Sequence, residues 1–184
     1  MKISTIFVIK KDVLYSVAYD DEAMEFERLL DQFEDIEFLE TFFEENINDL
    51  NSGYYSRISV PEAIQQTRIS AVRIRKQFDE FINSKSNHEN LQSIFRPLSN
   101  SESTFKQLSK EKNKSGWLRI YAIRVSKNTY VISGGAIKLT ATMNEIPHLL
   151  QELKKLDLTK QFLVEQGLTD EYDFGFFEFQ KQLL

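Results

Sequence analysis

The chain of 184 residues contains no cysteine. This absence excludes disulfide scaffolds, zinc sites built on thiolates and a cysteine nucleophile. Histidine is scarce as well, because His88 and His148 are the only two and stand 60 residues apart, one in a polar stretch and one at the start of a predicted helix. A zinc site needs several ligands close in space. This spacing does not supply them, and we predict no metal site.

Long apolar segments and nucleotide-binding fingerprints are also absent. No apolar run approaches the roughly 18 residues that span a bilayer, and the first residues lack the basic, apolar and small-residue order of a secretory signal. The sequence has no internal repeat, glycine-rich phosphate loop or dinucleotide-binding motif. We therefore expect a soluble cytoplasmic protein that uses neither a membrane nor a cofactor.

The charges that are present are unevenly distributed. The net charge is −5, but residues 1–50 carry 4 Lys and Arg against 14 Asp and Glu, residues 51–138 carry 15 against 6, and residues 139–184 carry 4 against 8. A basic segment between acidic ones indicates a polyanion-binding surface, or oppositely charged parts that pack on each other. Solvated faces that merely differ in sign are a third interpretation.

The hydrophobic pattern changes between a period of two and a period of 3.6 residues, which is typical of an α+β fold. It predicts strands at 3–9, 13–19, 117–125 and 129–134 and helices within 21–50 and at 59–83 and 144–156. With 41% hydrophobic residues, the chain is long enough to bury a core. We expect one domain spanning 1–184, in which a small, mainly antiparallel sheet packs against several helices.

The predicted domain divides into three regions. An acidic helical region occupies about 21–50, a basic middle 51–138, and a C-terminal helical and aromatic tail 144–184. Within the basic middle, the mostly polar residues 84–116 are interpreted as a long connection, either functional or disordered. The acidic and aromatic end of the tail is expected to dock on the core of the chain or to bind a partner.

Basic side chains on the helix at 59–83 are candidate RNA-binding residues. Arg68, Arg73, Arg75 and Lys76 fall on the face opposite its apolar stripe. Such cations can contact phosphates. They can equally be solvated or paired with nearby carboxylates.

The stretch "LRIYAIRVSKNTYVISGGAIKLT" places further polar groups on and just after a predicted hairpin. Side chains alternate along a strand, so Arg119 and Tyr121 share one face and Arg124 points to the other. The Gly134-Gly135 pair is interpreted as a bend where the strand leaves the sheet, which would present Lys138 at the rim. Alternatively, these are ordinary polar positions on the solvent face of a half-covered sheet.

The order of these elements, from "SIFRPL" through "WLRIYAIR" to "ISGGAIKLTATMNEIPHLLQELKK", resembles the RelE/HigB-type toxin superfamily, mainly over residues 91–160. The resemblance implies a RelE-like core with the acidic helical region as an elaboration. It also implies an endoribonuclease that cleaves mRNA, usually on the ribosome, by a metal-free mechanism. A helix-turn-helix antitoxin is the implied protein partner.

The resemblance assigns catalytic roles to Arg119, Tyr121 and Lys138 and an RNA-binding role to Arg124. The chemistry itself requires a cation to offset the growing phosphate charge and a proton acceptor near the ribose 2′-hydroxyl. Two alternatives stay open. The chain is a non-catalytic protein- or RNA-interaction module on the same fold, or it is an unrelated α+β protein.

Overall fold

The structure of the chain, a computed structural model, has an α+β architecture. It describes residues 1–20, 22–52, 58–84, 91–98, 108–140 and 146–175, except for the side chains of Ser109 and Glu111. Within these ranges, a six-stranded sheet carries a hydrophobic core on each face. The fold class predicted from the sequence is confirmed at this level.

The sheet contains local antiparallel pairings and one parallel pairing. Its order is β1-β2-β6-β5-β4-β3, with β1 at Ile3–Lys10, β2 at Leu14–Tyr19, β3 at Arg96–Pro97, β4 at Ser109–Ser115, β5 at Leu118–Arg124 and β6 at Tyr130–Ile137. Only β2 and β6 are parallel. Strands joined by short turns fold back as antiparallel neighbours, whereas β2 reaches β6 through helices and other strands. The sheet is therefore mixed rather than purely antiparallel.

The predicted acidic helical region forms three helices, α1 to α3. The helices are α1 at Glu25–Glu34, α2 at Ile36–Glu45, α3 at Ile47–Leu50, α4 at Val60–Asn83, α5 at Leu91–Ile94 and α6 at Pro147–Glu165, and residues 171–175 are helical as well. Asp35 separates α1 from α2, because its carboxylate accepts hydrogen bonds from the backbone N–H groups of Glu37 and Phe38. Among the described helices, none is both long and apolar enough to cross a membrane.

The helices that cover the sheet begin at or near their predicted starts. The helix predicted at 59–83 begins at Val60, and the backbone N–H of Ser59 donates to the Glu62 carboxylate in a capping box. The last helix, predicted from residue 144, begins at Pro147, where a missing N–H removes no helical hydrogen bond. Residues 141–145 lie outside the described part.

Side chains of the central strands β2, β5 and β6 pack into two separate cores, one on each face of the sheet. On the side named here the α4 face, Leu118 packs in one cluster with Phe78 of α4 and Leu29 of α1. On the opposite side, the α6 face, Ile123 packs with Leu156 of α6. Since both faces are covered, β5 is buried from Leu118 through Ile123. The sheet is not half covered, so the interpretation of this strand as solvent-facing is wrong.

The two central glycines of β6 serve close packing rather than a bend. Gly134 and Gly135 lie inside the strand, and the described glycines with positive φ are Gly116 and Gly167. A Cβ on Gly134 would collide with the Glu152 carboxylate of α6, and one on Gly135 would lie 2.9 Å from Leu29 of α1. Each glycine therefore admits a helix to one face of the sheet. The predicted bend is wrong.

Much of the segment interpreted as a long polar connection is regular structure. Residues 91–98 contain α5 and β3, and Leu91, Ile94 and Phe95 are buried. β4 pairs along the length of β5. The interpretation of 84–116 as a long connection is wrong for β4, which is a paired strand of the sheet, and residues 85–90 and 99–107 lie outside the described ranges.

The acidic and basic regions meet between α1 and α4. Arg75 of α4 lies 2.9 Å from Glu34, 3.3 Å from Asp31 and 3.7 Å from Glu27 on α1. Opposite charges in one chain favour such proximity because it lowers the exposed field. The expectation that oppositely charged parts pack on each other is confirmed for these two helices.

Candidate functional site

Strand alternation divides the predicted polar residues of β5 between the two faces. Arg119 and Tyr121 point to the α6 face, and Tyr121 belongs to its core cluster. Arg124 points to the α4 face, where its guanidinium carbon lies 5.6 Å from the ring centre of Tyr130. It also donates to the carbonyl oxygens of Ser126 and Lys127. Arg124 therefore stabilises the β5–β6 turn and lies apart from Arg119 and Tyr121.

The sheet register brings lysines of β4 beside Arg119. Lys114 is opposite Arg119, and Lys112 is opposite Tyr121. On the other side, Ala136 of β6 is opposite Arg119, and Lys138 follows two residues later. The backbone N–H of Lys138 donates to the carbonyl of Trp117 at 2.8 Å, which continues the pairing past β6.

Lys112, Lys114, Arg119 and Lys138 thus project from adjacent positions on the α6 face; together they are the cationic cluster. Their charges interact. The pKa of Lys138 is lowered by burial and then by Arg119, Lys112 and Lys114. The pKa of Lys112 is likewise lowered by burial and then by Arg119 and Lys114. Like charges held this close create a strongly positive local potential, and a bound anion would relieve it.

Neutral oxygens hold the cations in position. Nη1 of Arg119 donates at 2.8 Å to the carbonyl oxygens of Gly116 and Leu118. Nζ of Lys138 donates to the carbonyl of Thr140 at 2.6 Å, and Nζ of Lys112 donates to a backbone carbonyl at 2.9 Å. These bonds help to fix the positions of the three side chains.

Exposure differs sharply within the cluster. Arg119 is 5% exposed and Lys138 is 9% exposed, while Tyr121 beside them is completely buried. Lys112 is half-buried and Lys114 is exposed. A ligand approaching from solvent therefore meets Lys114 first, and the residues predicted to be catalytic lie behind it.

The cations of α4 form a separate surface. Arg68, Arg73 and Lys76 are exposed on the outer side of α4, and Lys76 lies 3.8 Å from Glu80. Arg75 is engaged with the carboxylates of α1. Because α4 covers the face opposite to α6, the sheet separates these residues from the cationic cluster. The structure does not bring the predicted RNA-binding and catalytic residues into one site.

Sequence reasoning missed two members of the cluster. Lys112 and Lys114 fall in the segment interpreted as a connection, although Lys110, Lys112 and Lys114 alternate with period two. That alternation was the available signal for a strand with one cationic face. The ion pair between Glu25 of α1 and Lys155 of α6 was missed as well, because helical periodicity does not reveal which helices meet.

Histidine and carboxylate geometry gives no metal centre in the part of the chain that is described. No group of three or more His, Asp or Glu side chains there could hold an ion. Nε2 of His148 lies 3.0 Å from the carbonyl oxygen of Ile137, and His88 is outside the described residues.

No family model, curated protein or solved structure matches the chain.

Proposed function

We propose that the cationic cluster binds the phosphate backbone of RNA and that the chain is a RelE/HigB-like protein acting on mRNA. The observation that carries this proposal is the convergence of Lys112, Lys114, Arg119 and Lys138 on one face of three adjacent chain segments. Protein cations placed in this way bind phosphates and release counterions, largely independently of base sequence.

The element order supports the family part of the proposal. A strand with arginines is followed by a second strand, a lysine and a closing helix that starts at a proline, as the resemblance implies. The acidic α1 to α3 region is then an addition to this arrangement. An antitoxin that covers the cluster would neutralise its charge.

In the catalytic form of the proposal, Arg119 and Lys138 act on one scissile phosphate. The guanidinium of Arg119 holds two phosphate oxygens through its planar fork, which a lysine cannot reproduce. Lys138, whose pKa is lowered by burial and neighbouring cations, offsets the charge that grows on the phosphate. The ribose 2′-oxygen loses its proton to solvent water and bonds to phosphorus as the bond from phosphorus to the 5′-oxygen breaks, and the 5′-oxygen takes up a proton from water. Tyr121 packs beside Arg119 and helps to position it.

A non-catalytic RNA-interaction module is the second candidate. It is favoured by the burial of Arg119 and Tyr121 and by the two backbone carbonyls that Nη1 of Arg119 already contacts. In this form, the more accessible Lys112 and Lys114 make the phosphate contacts. The buried cations then contribute long-range attraction only.

Binding to a fluorescent single-stranded RNA tests the shared part of the proposal. We expect Lys114→Ala to weaken binding at low salt and to reduce the slope of log affinity against log salt by about 1. Lys160→Ala removes an exposed lysine near the C-terminal end of α6 and is the matched control. Equal effects of the two substitutions would contradict phosphate binding at the cluster.

Cleavage of ribosome-bound mRNA by the purified protein separates the two candidates. Arg119→Lys keeps the charge but removes the fork, and we expect it to lower the cleavage rate by about 10²–10³ if the site is catalytic. Circular dichroism verifies that the variant folds. A wild-type protein that binds RNA without cleaving it favours the interaction module.

A further inference from the structure

A cavity of about 410 Å³ opens between α1, α2 and the first half of α6. It lies where the sheet divides, because the β2–β6 ladder joins Leu14–Ser16 to Tyr130–Ile132 while the strands continue to Tyr19 and Ile137. Backbone of β6 at 135–137 forms part of its lining. Its size is within the range of small-molecule sites, which occupy about 300–1,000 Å³.

One wall of the cavity is aromatic. Phe42 of α2 meets His148 of α6 edge to face, with ring centres 5.4 Å apart and planes at 81°. Phe38 stacks on Phe42 at 6.1 Å, and Phe33 completes the wall. Phe38, Phe42 and His148 are each only half-buried, so their rings are accessible from the cavity. Such a wall suits a flat ring, which can stack on it or meet it edge-on.

A buried network of ion pairs forms the floor of the cavity, and in it both carboxylate oxygens of Glu25 already have partners. Oε1 of Glu25 lies 2.8 Å from Nε of Arg28. Its Oε2 accepts from Nη2 of Arg28 at 2.9 Å and from Nζ of Lys155 at 3.1 Å. Glu25 therefore has little capacity left for a ligand.

Glu152 is the carboxylate of this network that can accept a further hydrogen bond. Its Oε1 lies 3.1 Å from Nζ of Lys155, and its side chain is 8% exposed. Within the described part of the chain, Oε2 of Glu152 is buried without a hydrogen-bond partner. This oxygen lies against Gly134, so a ligand in the cavity reaches it once the carboxylate turns toward the cavity. A buried carboxylate oxygen without a partner is costly, and an N–H donated by the ligand would remove that cost.

We propose that this cavity binds a flat, amino-substituted heteroaromatic ring of the aminopurine type, with the ring against Phe42 and His148 and an N–H donated to Glu152. The lining favours neutral or cationic ligands over anions, because Asp20, Glu22, Glu25 and Glu152 outnumber the three positive groups, which are Arg28, Lys155 and the N-terminal ammonium of Met1. The inference rests on the cavity and is independent of the cationic cluster. A free nucleoside and an unstacked RNA base are two sources of this chemistry.

A matched pair of ligands tests the hydrogen bond to Glu152. Adenosine and N6,N6-dimethyladenosine share the ring, but only adenosine has N–H donors on it. We expect calorimetric titration of the full chain at a pH above about 8, where the Glu152 carboxyl is ionised, to show adenosine binding tighter by about tenfold or more, the usual effect of one hydrogen bond to a charged group. Equal affinity for the two nucleosides, or no binding of adenosine, would overturn the proposal.

Two variants locate the binding. Glu152→Gln should bring adenosine down to the affinity of the dimethyl compound, while Lys160→Ala, on the same helix, should leave it unchanged. Phe42→Leu keeps an apolar side chain but removes the ring face, and we expect it to weaken both nucleosides together. If Glu152→Gln does not fold, Phe42→Leu still decides the matter, since unchanged affinity in that variant contradicts the proposed wall.

A short oligoadenylate distinguishes the two sources. If RNA supplies the base, the oligonucleotide binds more tightly than adenosine, and Lys114→Ala weakens the oligonucleotide only. If a free nucleoside is the ligand, the oligonucleotide binds no more tightly than adenosine, and Lys114→Ala does not change the affinity for either. Either result supports the cavity site. The cavity proposal fails if adenosine and N6,N6-dimethyladenosine bind equally well. Failure of the cationic cluster to bind RNA is a different result, which the RNA titration with Lys114→Ala shows.

Discussion

The ammonium nitrogen of Lys155, on α6, lies 3.1 Å from a carboxylate oxygen of Glu25, on α1. Since α1 packs on the α4 face and α6 on the opposite face, this ion pair joins the two layers that cover the sheet. Glu152 lies equally close to the same ammonium. One buried cation therefore holds two carboxylates at the division between β2 and β6.

Replacing Lys155 should destabilise the fold strongly. Lys155→Met keeps the length of the side chain but leaves Glu25 and Glu152 without their shared cation, and we expect a loss of about 3–5 kcal/mol in the free energy of unfolding. Urea denaturation measures it. The exposed neighbour Lys154, changed to Met, is the control and should stay within about 0.5 kcal/mol of the wild type. Similar losses in both variants would argue against the ion network.

Stability should decrease as the pH rises toward neutrality because of Glu152. Burial raises the pKa of its carboxyl from 4.5 to about 7, against the lowering effect of Lys155 and with a smaller raising effect of Glu25. The folded state then holds a proton that the unfolded state has released. This contribution is complete below about pH 4.5 and is lost as the pH rises through about 7.

Glu152→Gln isolates this effect. The variant cannot titrate at this position, so the difference in unfolding free energy between it and the wild type should change by on the order of 1–3 kcal/mol between pH 4.5 and 7.5. Urea denaturation at several pH values measures the difference. A difference independent of pH would show that Glu152 titrates normally in the folded protein.

Gly135 should be intolerant of a side chain. A Cβ there would lie 2.5 Å from the backbone oxygen of Arg119 and 2.9 Å from Leu29, so Gly135→Ala forces β5 or α1 to move. We expect a loss of about 1–3 kcal/mol, measured as the change in thermal or urea stability. Gly175→Ala is the control, because no atom of the residues that the structure describes lies within 4 Å of a Cβ at that position. Equal stability of the two variants would contradict the close packing at β6.

Arg75→Ala should loosen α1 from α4. The three carboxylates near Arg75 are partly or largely exposed and the Arg75 side chain is 35% exposed, so screening limits the loss to about 1 kcal/mol. The loss should shrink at high salt. Arg73→Ala, on the exposed side of the same helix, should change stability less. A salt-independent loss would indicate that packing of the side chain, rather than its charge, holds the helices together.

Local patterns identified most elements because they depend on neighbouring residues alone. Alternation in β5 separated Arg119 and Tyr121 from Arg124, and the helical period located α4 within one residue of its observed start. Such features require only strand or helix geometry. β4 was not recognised, because its polar, lysine-rich sequence is typical of a loop and becomes a strand through pairing with β5.

The candidate site was only partly predictable for the same reason. Arg119 and Lys138 were identified in the sequence, but their meeting with Lys112 and Lys114 depends on the register between three strands. The role of the glycine pair was misread, because close approach of helices from both faces is invisible in a linear pattern.

The sequence by itself determined the α+β class, the covering helices and the uneven distribution of charge, since these follow from composition and local periodicity. The tertiary structure alone decided that β2 and β6 pair in parallel, that four cations share one face, and that Glu25, Glu152 and Lys155 meet. Those relationships join residues up to 130 positions apart. They depend on which faces pack together, and packing is settled by the whole core rather than by any one segment.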